Sequence, residues 1–191
     1  MEDNSKLWQD FVVGDQSALE QIYNSHFDAL ASYGLRIVAD AGLVEDAIQD
    51  VFLNLWRRRR YLGKVENVRF YLCKALRNQL NRNNRYEPFH TTDDIDGFLD
   101  YLSTVSCEQE SIGVETRQAL IQTIQIALAE LSNRQREVVH LRFYQGLSLD
   151  QAALVMNVQK QVVKNLLTQS YARLRASLRT LVSVLVMLLF Q

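Results

Sequence analysis

Residues 146–169 read GLSLDQAALVMNVQKQVVKNLLTQ, and this stretch decides the fold. Ser148 and Gln151 form a capping box, in which hydroxyl and amide oxygens take up two backbone N–H groups at a helix start. A short helix over Leu149 to Met156 is predicted, with Ala152, Ala153 and Met156 small or pliable enough for close packing. Asn157-Val158-Gln159 reads as a tight turn, because asparagine tolerates left-handed backbone. A longer helix is expected from Lys160 to about Leu178, with Val163, Leu166 or Leu167, and Leu174 turned to the core. Lys160, Lys164, Asn165, Thr168 and Gln169 then point outward. A helix–turn–helix that shows Lys, Asn, Thr and Gln at the start of its second helix carries the donors and acceptors needed to read base edges in a DNA major groove.

Upstream, Ser132 and Gln135 form a second capping box, and Gly146 suits a left-handed helix stop between the two boxes. The whole chain has the composition of an all-α protein. Seven glycines and one proline are too few for the turns of a β fold, while Leu, Ala, Gln and Arg abound. With 48% hydrophobic and 23% charged residues it belongs to the soluble globular class. Thr91 to Ser111 is acidic, free of bases and without apolar periodicity, and Pro88 at its entrance steers Glu87 away from helical geometry. Two small helical domains are therefore expected, at 1–86 and 112–191, joined by a flexible acidic linker at 87–111.

Three apolar stripes at helical spacing give the core of the first domain. They are Leu19, Ile22, Tyr23, Phe27, Leu30 and Ile37; then Val44, Ala47, Ile48, Val51, Phe52 and Leu55; then Val68, Leu72, Ala75, Leu76 and Leu80. The opposite face of the second helix carries Asp46, Gln49, Asp50 and Leu53, an acidic stripe with an apolar neighbour. Helix stability gains from negative charge only in the first turn, so acids this far in suit a cationic partner. That helix runs into Trp56 and four arginines, Arg57 to Arg60, which repel one another unless anions neutralise them. On the third helix Phe70, Lys74, Arg77 and Asn81 line one side, flanked by Arg69, Tyr71 and Arg82. Rings interleaved with bases make a surface on which unpaired nucleotides stack while their phosphates are neutralised.

Charge alternates in four blocks. Residues 1–50 carry a net −8, 51–86 a net +9, 87–116 a net −8 and 117–191 a net +6, which leaves −1 overall. Two basic surfaces, each beside an acidic segment, fit a protein that grips a polyanion at two places. Nothing in the sequence points to an enzyme: His26, His90 and His140 lie far apart, no glycine-rich phosphate loop occurs, and no cofactor or small-molecule substrate is implied. Cys73 and Cys107 belong to no metal-binding spacing, so neither a metal site nor a disulfide is expected. The opening Met1-Glu2-Asp3-Asn4-Ser5-Lys6 lacks the pattern of an export signal, which makes the cytoplasm the expected compartment. Leu181 to Phe190 is almost wholly apolar, half the length a bilayer crossing needs. It reads as the buried end of a final helix, or else as a docking strip for a partner.

Taken together, the chain resembles the extracytoplasmic-function group of bacterial RNA polymerase sigma factors. The resemblance rests on Asp46 to Trp56, on Tyr71-Leu72 to Arg77-Asn78, on Leu131 to Val139, on Gly146 to Ala153, on Val163-Lys164 and on Ala172 to Arg175, in that order along the sequence. It implies two helical domains and a role in recruiting core polymerase to promoters and opening them. By resemblance, Asp46, Gln49, Asp50, Leu53 and Trp56 meet the clamp of the β′ subunit. Arg60, Arg69, Phe70, Tyr71, Lys74, Arg77, Asn78 and Asn81 correspond to the part that captures the melted −10 element. Lys160, Gln161, Lys164, Asn165, Thr168 and Gln169 fall at the −35 groove, with Arg142, Arg173 and Arg175 on backbone phosphates. An anti-sigma factor is the implied regulator. Gln161, Val162 and Leu166 depart from the residues usual in the recognition helix, so the −35 preference does not carry over. The rival readings from the residues alone are a stand-alone dimeric helix–turn–helix regulator and an adaptor without a DNA role.

Overall fold

The computed structural model describes residues 2–82, 128 and 130–189, with side chains described over 6–82, 128 and 130–176. The expected linker, Pro88, His90 and Cys107 lie outside these residues, as do the side chains of the apolar tail. Among the described residues there are helices and turns and no strand. The chain divides into two compact units, the first built mainly on the helices before residue 83 and the second on those after residue 130.

The first unit consists of α1 (Glu2–Val13), α2 (Gln16–Ile37), α3 (Ala41–Arg58), a 3₁₀ turn (Arg59–Tyr61) and α4 (Val68–Arg82). Each later helix starts where a short polar side chain replaces a missing intrahelical acceptor. The Asp15 carboxylate accepts from Ser17 N at 2.8 Å and Ala18 N at 3.3 Å, the Asp40 carboxylate from Leu43 N at 3.1 Å, and Asn67 Oδ1 from Phe70 N at 2.9 Å. α2 packs on α1, α3 and α4, and α3 packs on α4. At the α2–α3 crossing a Cβ on Gly34 would fall 2.5 Å from Val44 Cγ1, so only glycine allows this approach.

The predicted α3 stripe is buried throughout, from Val44 to Leu55. In α2 the buried line is Ala18, Ile22, His26, Leu30, Tyr33, Gly34 and Ile37, which keeps Ile22, Leu30 and Ile37 of the predicted stripe, while Leu19, Tyr23 and Phe27 flank it half-buried. In α4, Cys73 is buried while Ala75 is half-buried. Burial pushes the Cys73 thiol up to about 12, away from the reactive thiolate. The apolar pattern shows no stripe in α1, yet Trp8 and Phe11 are fully buried in the core.

The second unit contains α5 (Asn133–Val139), a π-helical turn (His140–Tyr144), α6 (Leu149–Met156) and α7 (Lys160–Leu189). Both capping boxes form: Ser132 N donates to Gln135 Oε1 at 3.0 Å and Ser148 N to Gln151 Oε1 at 2.9 Å, and each Gln N–H returns a bond to the Ser hydroxyl. Gly146 closes the π turn at φ +66°, with Leu147 N bonded to Leu141 O at 3.0 Å. Asn157 makes the corner of the helix–turn–helix at φ 53°. His140 is an ordinary buried residue, stacked on Tyr144 at 4.7 Å and in contact with Gln145. α7 runs past the predicted end near Leu178 to Leu189, where neither glycine nor proline interrupts the run.

Candidate functional site

α3 separates its two faces cleanly. Asp46, Gln49 and Asp50 are exposed, and Leu53 keeps 52% of its surface in solvent although it is a large apolar side chain. The stripe is tied to the neighbouring helix at one end, where Gln79 Nε2 donates to Asp50 Oδ2 at 2.9 Å. Trp56 is placed differently from the rest of its group. It is half-buried, with the Arg59 guanidinium 4.1 Å above its ring and Phe11 6.4 Å away.

Along α4 the expected single-strand residues spread around the helix. Asn78 and Asn81 are exposed, as is Arg60 before the helix, while Arg69, Phe70, Lys74 and Arg77 are half-buried. Tyr71 turns inward and packs edge-on against Trp8 at 5.4 Å. Burial, with a smaller push from the charge of Arg69, holds His26 below the ordinary imidazole value against a backbone bond to Ser25 that raises it.

In the second unit Val163 and Leu167 are buried, Leu166 and Leu174 half-buried, and Ser170 is buried as well. Lys160, Gln161, Lys164, Asn165, Thr168 and Gln169 are all exposed along the first turns of α7. Their hydrogen bonds divide them. Gln161 Nε2 donates to Asn165 Oδ1 at 3.0 Å and Thr168 Oγ1 to Lys164 O at 3.0 Å, which leaves these side chains lying along the outer face. Lys160 pairs with Asp150 of α6 at 2.7 Å.

Gln169 and Arg173 turn back to the scaffold. The Gln135 side chain donates to Gln169 Oε1 at 3.2 Å, and Arg173 Nη1 donates to Glu130 O at 2.9 Å and to Gln135 Oε1 at 3.3 Å. Arg142 Nη1 donates to Leu147 O at 2.7 Å and so braces the turn before α6, while Arg175 is exposed. Sequence reading found Gln135 only as a cap. Its second role, holding the outward helix across a separation of 34 residues, has no local signal. Among the described residues no group of His, Cys, Asp and Glu could hold a metal ion, and no helix is long and apolar enough to cross a membrane.

Residues 22–86 match the Sigma-70 region 2 family and residues 127–176 match Sigma-70 region 4. The chain is 28% identical over 169 residues to the ECF RNA polymerase sigma factor SigL of Mycobacterium tuberculosis, covering 87% of this chain and 92% of that protein. Among solved structures it is similar to CnrH in complex with the cytosolic domain of CnrY, at a TM-score of 0.57 and 20% identity over 93% of this chain and 97% of the other. A second similar structure is the sigma factor RpoE from Bartonella quintana in complex with the anti-sigma factor NepR. Its TM-score is 0.53, with 19% identity over 84% of this chain and 96% of the other. At such identities the structural likeness speaks for the shared helical fold.

Proposed function

Because this chain belongs to the sigma-70 family, in its extracytoplasmic-function group, we propose that three of its surfaces divide the work of a non-enzymatic initiation subunit. α3 meets core RNA polymerase, α4 and the turn before it hold unpaired promoter DNA, and α7 reads a duplex element upstream. The observation that carries this reading is the α3 face. Among the described residues, an exposed Asp46–Gln49–Asp50–Leu53 stripe opposite a fully buried one makes only one bond within this unit, to Gln79. Carboxylates beside an exposed leucine suit a partner surface with basic and apolar groups, as a protein–protein interface requires. A free-standing regulator would use only the second unit and give residues 22–86 nothing to do.

DNA contact divides by chemistry. Lys164 and Asn165 present a cation and an amide to a groove, where bidentate contacts discriminate bases. Arg175, and Arg142 and Arg173 through guanidinium N–H groups beyond their internal bonds, suit phosphates, which position without specifying. The factor works in the cytoplasm, where polymerase and chromosome are. An anti-sigma protein is the fitting regulator, since both similar solved factors are held by such a partner or by a cytosolic domain.

Co-purification tests the assignment. The full chain is expected to bind core polymerase through α3, and Asp50→Arg to abolish binding while the circular dichroism spectrum stays unchanged. Undiminished binding by that variant would remove the stripe from the interface.

A further inference from the structure

The apolar run at Leu181 to Phe190 is used by none of the assignments above. It lies on α7 but outside the region 4 match, which ends at residue 176, thirteen residues before the helix does. The family likeness therefore does not account for it. Nine of its ten residues are apolar, Ser183 is the exception, and none is charged.

α7 has two patterns along one axis. In its first half Val163, Leu167 and Ser170 are buried while Lys164, Asn165 and Thr168 are exposed, so the unit covers one stripe of the helix and leaves the rest to solvent. From Leu181 the apolar stripe widens to the whole circumference. At 3.6 residues per turn the run passes almost three times round the axis and places apolar residues on every face. A helix packed on one protein surface, whether its own unit, a groove or a second copy, needs only one apolar face. A helix with no polar face calls for surroundings that are apolar on all sides, as lipid hydrocarbon is.

Charge narrows the choice. After Asp150 the chain carries no acid as far as Gln191, and Arg173, Arg175 and Arg179 stand within about two turns ahead of the run. Arg173 and Arg175 are exposed. A cationic collar beside an apolar tip matches an anionic lipid surface, where headgroup phosphates draw the bases and acyl chains take up the apolar residues. The length agrees. Ten helical residues span about 15 Å, half of the ~30 Å hydrocarbon core, and polar Thr180 and Gln191 flank the run, so it suits one leaflet and not a crossing.

We propose that the end of α7 is a lipid-binding element: Leu181 to Phe190 insert into one leaflet of an anionic membrane, and Arg175 and Arg179 bind its headgroup phosphates. This stands apart from the polymerase and promoter assignments and draws on none of them. It gives the apolar run a ligand and the factor a membrane surface on which to rest.

The test is flotation of the full chain with vesicles of two compositions, equimolar phosphatidylcholine and phosphatidylglycerol, and phosphatidylcholine alone. Wild-type protein is expected to partition onto the anionic vesicles at least about fivefold more strongly than onto the neutral ones, the ratio expected of one base at a charged surface. Leu185→Glu is expected to lower partitioning at least about tenfold on both, since it sets a carboxylate in hydrocarbon. Arg179→Gln is expected to lower it about fivefold on the anionic vesicles alone. Leu188→Trp keeps the run apolar and is expected to float like wild type, with its added fluorescence quenched by brominated acyl chains. Without vesicles, Leu185→Glu is expected to melt at the wild-type temperature, whereas a run buried in the second unit would lose stability on taking up a carboxylate. Absence of wild-type flotation, undiminished flotation of Leu185→Glu, unquenched fluorescence of Leu188→Trp, or a lowered melting temperature for Leu185→Glu would each overturn the proposal and leave the sigma reading intact. Self-association through the run, with vesicles ignored, would give it to a second copy and overturn the proposal as well.

Discussion

Along α3 the side chains of the proposed polymerase face stand in solvent and the scaffold needs them little, whereas along α7 three polar side chains, Lys160, Gln169 and Arg173, are bonded to other segments of their own unit. Asp46, Gln49 and Leu53 stand clear on α3, and Asp50 takes one bond from Gln79. On α7, Lys160 is paired with Asp150, Gln169 with Gln135, and Arg173 with Glu130 O and Gln135. On the proposed assignment the difference follows from what each face must meet. A protein partner can be met by a sparse stripe on a rigid helix, because the partner supplies the rest of the shape. A groove read at hydrogen-bond precision needs the reading helix fixed in rotation, and polar bonds to the scaffold fix it.

The comparison breaks or sharpens under substitution, and the largest effect is expected on α3. Asp50→Arg should lower polymerase binding at least about 100-fold, since like charges set against each other cost several kcal/mol. Far-UV circular dichroism is the check that the fold survives. Next, Gln135→Leu removes the shared partner of Ser132 N, Gln169 and Arg173. About 0.5–2 kcal/mol of stability should be lost with the capping box, since Ser132, Gln169 and Arg173 are exposed and water takes up their freed groups, and thermal unfolding of the second unit reads it. Polymerase binding should persist. Lys164→Ala is expected to reduce transcription about tenfold from promoters with an upstream element, in the range of one groove contact, and to spare polymerase binding.

Two smaller effects separate the units by charge. His26 is held below its ordinary value of 6.5 chiefly by burial, so the native state stays neutral while the unfolded chain takes up a proton. Stability of the first unit should therefore fall as pH drops from about 6.5 toward the native value, and level off below it. A pH series of thermal melts, with His26→Gln as the flat control, measures this. Asp150→Asn is expected to change stability by less than about 1 kcal/mol, because the exposed Lys160–Asp150 pair is screened.

Legibility in the sequence followed range. The helix–turn–helix could be read because capping boxes, Gly146 and Asn157 act within a few residues, and the structure forms each of them. The α3 faces could be read because a periodic apolar line implies its opposite. α1 could not: its two core residues, Trp8 and Phe11, are too few for a periodic signal, and the indole finds its acceptor 55 residues away. On α2 the pattern found Ile22, Leu30 and Ile37 but took Phe27 in place of His26, because a histidine occupies a core place that an apolar pattern skips. The inward turns of Gln169 and Arg173 depend on partners 34 and 38 residues upstream, beyond any local window.

Initiation by sigma-free core polymerase tests the division of labour most directly. Purified core enzyme, the full chain and a genomic fragment library are combined, and transcript 5′ ends are sequenced. A small set of discrete start sites sharing two upstream elements is expected, lost with Asp50→Arg and thinned with Lys164→Ala. No start site above the core enzyme's own background, with the folded chain present in excess, would contradict it.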